Sequence, residues 1–135
     1  MKKIWLIIVL LLLLPLTLSA EVGQISNQQL TAMMQQGVKL IDIRRAEEWR
    51  QTGVVKGSHL LTFFDKNGRY DIGKWINAFN RIVKKDEPFV LICRSGNRTG
   101  MVSKLLHYRL NYRNVNHLSR GIKNWIKEGY PVDRR

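Results

Sequence analysis

Seven consecutive residues carry the reactive groups of this chain: Cys93-Arg94-Ser95-Gly96-Asn97-Arg98-Thr99. Cys93 is the only cysteine, it follows the apolar run Phe89 to Ile92, and the residues around it include two arginines, a glycine and no acid. A lone cysteine is commonly a small core hydrophobe. Its surroundings here favour chemistry. The apolar run reads as a buried strand, and from Thr99 to Leu110 the residues Met101, Val102, Leu105, Leu106 and Leu110 recur at helical spacing, so the thiol sits where a strand passes through a loop into a helix. Backbone N–H groups around Ser95, Gly96 and Asn97 converge if that loop curls, with Gly96 taking conformations denied to other residues. The following helix adds its unpaired N–H groups and the positive end of its dipole. A sulfur so placed beside arginine is expected to give up its proton readily and act as a nucleophile. Arg94 and Arg98 bring charge for an anion, Arg98 more directly because it closes the loop.

Elements of alternating type must hold that loop. "ISNQQLTAMMQQG" offers Ser26 as N-cap, Leu30, Met33 and Met34 at helical spacing, and Gly37 as a stop. "VKLIDIR", 38–44, reads as a buried strand, "RAEEWRQTG" as a short helix closed by Gly53, and "VVKGSHLLTFF" as an extended segment interrupted at Gly57. "GKWINAFNRIV" places Trp75, Ile76, Phe79, Ile82 and Val83 on one helical face, and "KKDEP" breaks it before the strand "FVLI". "NVNHL", 114–118, is a further strand, and "GIKNWIKEGYPV" a last helix packing Ile122, Trp125 and Ile126 before Gly129 and Pro131. Strands alternating with helices predict an α/β fold, a mostly parallel sheet with helices on both faces, in which ligands bind beyond the carboxyl ends of strands. Trp49, Trp75 and Trp125 lie on predicted helices and are expected in the core. His59, His107 and His117 show no metal-ligand spacing and read as surface or core residues.

Residues 1–20, "MKKIWLIIVLLLLLPLTLSA", combine two lysines, an apolar run, Pro15 and a Ser19-Ala20 end, the layout of a signal peptide; an uncleaved membrane anchor is the alternative. Residues 21–135 then form one exported, periplasmic domain. Loss of Lys2 and Lys3 leaves 21 Lys+Arg against 10 Asp+Glu, a net charge of +11. Such a balance suits an anionic small substrate, an acidic partner or the membrane surface, and export argues against nucleic acid. One cysteine allows no intramolecular disulfide, so the core alone must hold the domain.

At this point the sequence resembles the rhodanese-like sulfurtransferase family. "LIDIRRAEEWRQTGVVKGSHLL" is similar to its N-terminal signature, "CRSGNRT" to its active-site loop and "VNHLSRGIKNWIKEGYPV" to its C-terminal signature. Two departures stand out: Gly53-Val54-Val55-Lys56-Gly57-Ser58 where the family tends to read G-H-I-x-G-A, and Ser119-Arg120-Gly121 in place of a glycine pair. The resemblance implies that Cys93 attacks the outer sulfur of a donor such as thiosulfate, holds it as a persulfide cradled by the loop from Arg94 to Thr99, and passes it to cyanide, a thiol or a protein acceptor. It implies no metal and no organic cofactor. Asp42 matches the acid of the family's D-x-R motif and is expected near the loop, paired with Arg98 or Arg44, shaping the site without joining the transfer.

Two other readings share the fold. Cysteine-dependent phosphatases and arsenate reductases use C-x5-R, a wider loop that admits a tetrahedral oxyanion, whereas Cys93 to Arg98 is C-x4-R. A non-catalytic rhodanese-like binding module is the third possibility, and many such modules lack the cysteine that this chain keeps.

Overall fold

The run Phe89-Val90-Leu91-Ile92 is buried at every position, as a strand must be when helices cover both faces of its sheet. It is strand β4 in a computed structural model that describes residues 21–135, so the signal-peptide reading of residues 1–20 lies outside the described residues. The other strands are β1 (Gly23–Ile25), β2 (Lys39–Asp42), β3 (His59–Leu60) and β5 (Val115–Leu118). The helices are α1 (Asn27–Gln35), α2 (Ala46–Thr52), α3 (Ile72–Asn80), α4 (Asn97–Lys104) and α5 (Gly121–Lys127). All strand pairs are parallel, in the order β1-β5-β4-β2-β3. Every strand therefore ends at one edge, and the loop leaving the central β4 lies between the ends of β2 and β5.

Alternation along β4 divides the core. Phe89, Leu91 and Cys93 belong to the cluster that includes Trp75 and Phe79 of α3 and Val102 of α4. Val90 and Ile92 belong to the opposite cluster, with Leu30 of α1 and Ile122 and Trp125 of α5. Cys93 thus continues the strand's alternation into the α3/α4 side. Ser26 caps α1 as its sequence predicts, accepting from the Gln29 amide while Gln29 reaches back to the Ser26 N–H.

The structure corrects several expectations. β1 was not legible, since Gly23-Gln24-Ile25 has one apolar residue; Gly23 is there because a Cβ would fall 1.9 Å from the Asn116 side chain. The extended segment after Gly53 pairs at Val54 with Asp133 in an isolated antiparallel bridge and otherwise contributes the two-residue β3. Met101 is 63% exposed, because the buried face of α4 runs through Thr99, Val102 and Ser103 to Leu106. Two polar residues on that face misled a reading built on apolar spacing. Past Lys104 the helix widens into a π-helical turn, Leu105–Arg109, and Leu110 ends only half-buried. Ile126 is exposed because α5 turns Asn124 inward beside Ile122 and Trp125, and Asn124 accepts from Asn27 at 3.2 Å. Trp75 and Trp125 are core residues, whereas Trp49 is half-buried on α2, a helix with no buried residue.

Candidate active site

The Cys93 loop is shaped by contacts that glycine alone permits. Gly96 has φ of +95°, and a Cβ on it would lie 2.1 Å from the Ser119 carbonyl oxygen. Gly121 has φ of +67°, and its Cβ would lie 2.3 Å from the Arg94 oxygen. Both positions combine a left-handed backbone with a close backbone approach, so side chains are excluded twice over. The first turn of α5 completes the clamp: Ile122 N donates to Cys93 O at 2.9 Å, and Lys123 N to Arg94 O at 3.0 Å. The Ser119-Arg120-Gly121 turn therefore keeps a glycine at the position where this packing requires one.

Inside the loop Cys93 is 1% exposed. Gly96 N donates to its Sγ at 3.2 Å, and Thr99 Oγ1 lies 3.4 Å from the same atom. The first N–H groups of α4 follow directly, and an α-helix leaves these without partners of its own. A negative sulfur is therefore met by one aimed backbone donor, a hydroxyl and the positive end of a helix.

Asp42 and Arg44 form a buried fork beneath this loop. Arg44 Nε and Nη2 reach Asp42 Oδ1 at 3.0 Å and Oδ2 at 2.8 Å, and the Arg44 amide also donates to Oδ1. Arg44 Nη1 and Nη2 further donate to Thr52 Oγ1 and Gly53 O. Of the two partners expected for Asp42, the structure provides Arg44, and the pair ties β2 to the end of α2. Burying such a pair costs desolvation that good geometry and further hydrogen bonds must offset, and Thr52 and Gly53 supply those here.

Arg98 is engaged elsewhere. Its Nη1 and Nη2 donate to Glu48 Oε2 at 2.8 Å and Oε1 at 2.7 Å. The Glu48 hydrogen bonds hold the Arg98 guanidinium above its ordinary pKa, with the charges of Cys93 and Asp42 adding to the effect. Burial pushes the Glu48 carboxyl up, but the Arg98 bonds, the Arg45 amide and both arginine charges outweigh it and hold it at about 2. The guanidinium that closes the loop is thus already neutralised by a carboxylate, which leaves it a poor clamp for a second anion. Arg94 and Ser95 are exposed on the loop's outer side. There a cavity of about 330 Å³ is lined by Ser95, Ser119, Arg120, Lys123, Asn124 and Lys127, three cations and no acid.

Glu48 and His117 are the site neighbours that sequence reasoning missed. Glu48 stands three residues after Arg45 and accepts from its amide at 3.0 Å, a helix-start pattern that carried a signal. His117 shares its strand face with Val115, a residue of the Cys93-side cluster, so period-two alternation places it inward. It lies 2.9 Å from Thr99 Oγ1 through Nδ1. Among the described residues no group of three or more His, Cys, Asp or Glu side chains is placed to hold a metal ion.

A family model, that of the rhodanese-like domain, matches residues 26–128. The chain belongs to the rhodanese-like family. A rhodanese domain-containing protein of Drosophila melanogaster is 36% identical over 81 residues, which cover 58% of this chain and 72% of that protein. Among solved structures, the polysulfide-sulfur transferase homodimer of Wolinella succinogenes superposes with a TM-score of 0.65 at 20% identity, covering 87% of this chain and 82% of that one. A protein of Rhodopseudomonas palustris described as a possible tyrosine phosphatase superposes with a TM-score of 0.63 at 22% identity, over 83% and 85% of the two chains. At these identities the likeness shows the rhodanese-like fold, and the choice of chemistry falls to the residues of the site.

Proposed function

We propose that this rhodanese-like domain is a sulfurtransferase of the thiosulfate type, carrying a sulfane sulfur as a Cys93 persulfide. The observation that carries the reading is the C-x4-R loop folded around Sγ, with the Gly96 amide aimed at the sulfur and the arginine bound to Glu48. A tetrahedral oxyanion needs a wider ring and a free guanidinium; one sulfur atom needs neither.

The steps balance without an added redox partner. The Cys93 thiolate attacks the outer sulfur of thiosulfate, a new S–S bond forms, the original S–S bond breaks, and sulfite leaves with the bonding pair. The acceptor, cyanide or a thiolate, attacks the outer sulfur of the persulfide and returns Cys93 as a thiolate. The protein needs no organic cofactor for either step. Gly96 N and the start of α4 stabilise the negative sulfur between them. Arg94 and the Arg120/Lys123/Lys127 cluster support an anionic donor or an acidic acceptor by raising its local concentration. The pattern of residues 1–20 supports a periplasmic setting, where the acceptor is a small thiol or protein thiol.

The test is mass spectrometry of the protein after thiosulfate, followed by cyanide. Wild type gains one sulfur and then loses it. Cys93→Ser gains none and keeps its fold, because serine is close in size but a poor nucleophile without a base. Turnover of thiosulfate by the serine variant overturns the assignment, and a wild type that takes up no sulfur favours a binding module.

A further inference from the structure

Thr99 has one hydroxyl proton and three neighbours. Its Oγ1 lies 2.9 Å from His117 Nδ1, 3.3 Å from Gly96 O and 3.4 Å from Cys93 Sγ. Cys93, Thr99 and His117 are all buried, so water does not settle their hydrogen bonding for them. Gly96 O also accepts from Gly100 N at 3.0 Å but keeps a second lone pair, so the hydroxyl proton has three acceptors within reach: imidazole, carbonyl and sulfur.

The imidazole makes that choice. A neutral histidine carries one ring proton, and the other nitrogen accepts. With the proton on Nε2, Nδ1 draws the Thr99 proton away and Sγ faces an oxygen lone pair, which repels a thiolate. With the proton on Nδ1, the ring donates to Oγ1 and the hydroxyl is released to donate onward, and a thiolate outcompetes the neutral Gly96 carbonyl for it because a charge-assisted hydrogen bond is the stronger.

We propose that His117 is a positioning residue for Cys93: its proton on Nδ1 turns the Thr99 hydroxyl toward Sγ, so that the thiolate receives two donated hydrogen bonds, from Thr99 and from Gly96 N. Burial, and then the charge of Lys104 on α4, hold His117 below its ordinary pKa, so near neutrality the ring is uncharged and the tautomer is what counts. Its paired neighbours Gln24 on β1 and Leu91 on β4 carry no charge. On the sulfur side the charged groups are Arg98, paired with Glu48, and at the end of β2 Asp42, paired with Arg44. Protonation of His117 in acid leaves the Nδ1 proton in place, so the chain of donors keeps its direction there.

The inference deepens the proposed function, resting on Cys93 as its nucleophile, but its test does not require sulfur transfer. In the full chain, nitrogen-15 NMR of His117 at a pH where Cys93 alkylates readily should show protonated Nδ1; a ring protonated only on Nε2 overturns the proposal. Iodoacetamide alkylation of Cys93 gives a second readout. His117→Phe and Thr99→Val should each slow it about threefold at neutral pH, the scale of one hydrogen bond. His117→Asn, whose amide can donate in the ring's place, should recover most of the rate. The double variant should be no slower than Thr99→Val alone, since the ring acts only through the hydroxyl. An unchanged rate in His117→Phe, or a loss that persists in the Thr99→Val background, overturns it. If His117→Phe does not fold, the wild-type tautomer decides. A protein that passes these tests and takes up no sulfur from thiosulfate refutes the proposed function and leaves this inference standing.

Discussion

Arg98 and Glu48, fifty positions apart, meet in a two-armed ion pair that joins the Cys93 loop to α2. Both side chains are mostly covered, 24% and 15% exposed, so solvent screens them less than a surface pair. The pair does two things at once. It anchors the loop's last residue to an element packed beside β2, and it occupies the guanidinium that would otherwise hold an incoming oxyanion.

The pair has an acid signature. Glu48 titrates at about 2 in the fold against 4.5 in the unfolded reference, so between these values the unfolded chain binds more protons and stability rises with pH. Its contribution is complete above about 4.5 and is lost as pH falls toward 2, with an upper limit of about 3 kcal/mol. Glu48→Gln should be less stable than wild type at pH 7 by about 1–3 kcal/mol and should flatten this acid limb. Urea unfolding of both proteins from pH 2 to 6 measures it; parallel curves would remove the pair from the account of stability.

Gly121 and Gly37 separate a backbone cost from a packing cost. Both have positive φ, but a Cβ at Gly37 meets nothing within 4 Å while one at Gly121 meets the Arg94 carbonyl at 2.3 Å. Gly37→Ala should cost about 1–2 kcal/mol for the left-handed conformation alone. Gly121→Ala should cost a further 1–3 kcal/mol for overpacking and should also disturb sulfur uptake, because the displaced atom belongs to the loop. Equal losses of stability, with sulfur uptake intact in both, would show that the clamp is not needed.

What could be read from the sequence follows the range of the interaction. β4 and β5 were legible because apolar runs report burial locally, and Cys93 at the end of β4 came with them. The Ser26 cap was legible because it needs only three residues. The Arg98 partner was not, since joining loop to α2 requires knowing that β2 lies beside β4. His117 was half legible: alternation turns it inward, but that it meets Thr99 depends on the register of β5 against β4 and on the pitch of α4. Met101 misleads because hydrophobicity does not mark the buried face of α4, where Thr99 and Ser103 are buried instead.

The cationic cavity beside the loop should make the reaction salt-sensitive. Lys123 and Lys127 are exposed and lie with Arg120 around Ser95. Replacing both lysines by alanine should raise KM for thiosulfate about two- to fivefold at low salt and leave kcat near its original value, because long-range attraction acts on encounter. The difference should shrink at 0.5 M salt, where the screening length falls to about 4 Å. A KM effect that ignores ionic strength would assign these lysines to a direct contact, not to steering.

Loop length separates sulfur from phosphate chemistry most directly. One residue inserted between Gly96 and Asn97 makes the loop C-x5-R, and it falls between the amide that donates to Sγ and the first residue of α4. The ring of donors widens, so a single sulfur touches fewer of them at bonding distance while a larger oxyanion gains room. Sulfur transfer should fall by about 2–4 kcal/mol of transition-state stabilisation, the scale of one lost oxyanion-hole donor. Phosphatase activity should stay weak, since Arg98 remains bound to Glu48 and the insertion supplies no general acid. Adding Glu48→Gln to the insertion frees the guanidinium and should raise aryl-phosphate hydrolysis above that of the insertion alone. Thiosulfate sulfurtransfer and aryl-phosphate hydrolysis, measured on wild type and both variants with circular dichroism to confirm folding, give the comparison. Efficient phosphate hydrolysis by the wild-type loop, with no sulfur gained, would place this protein in the other enzyme class.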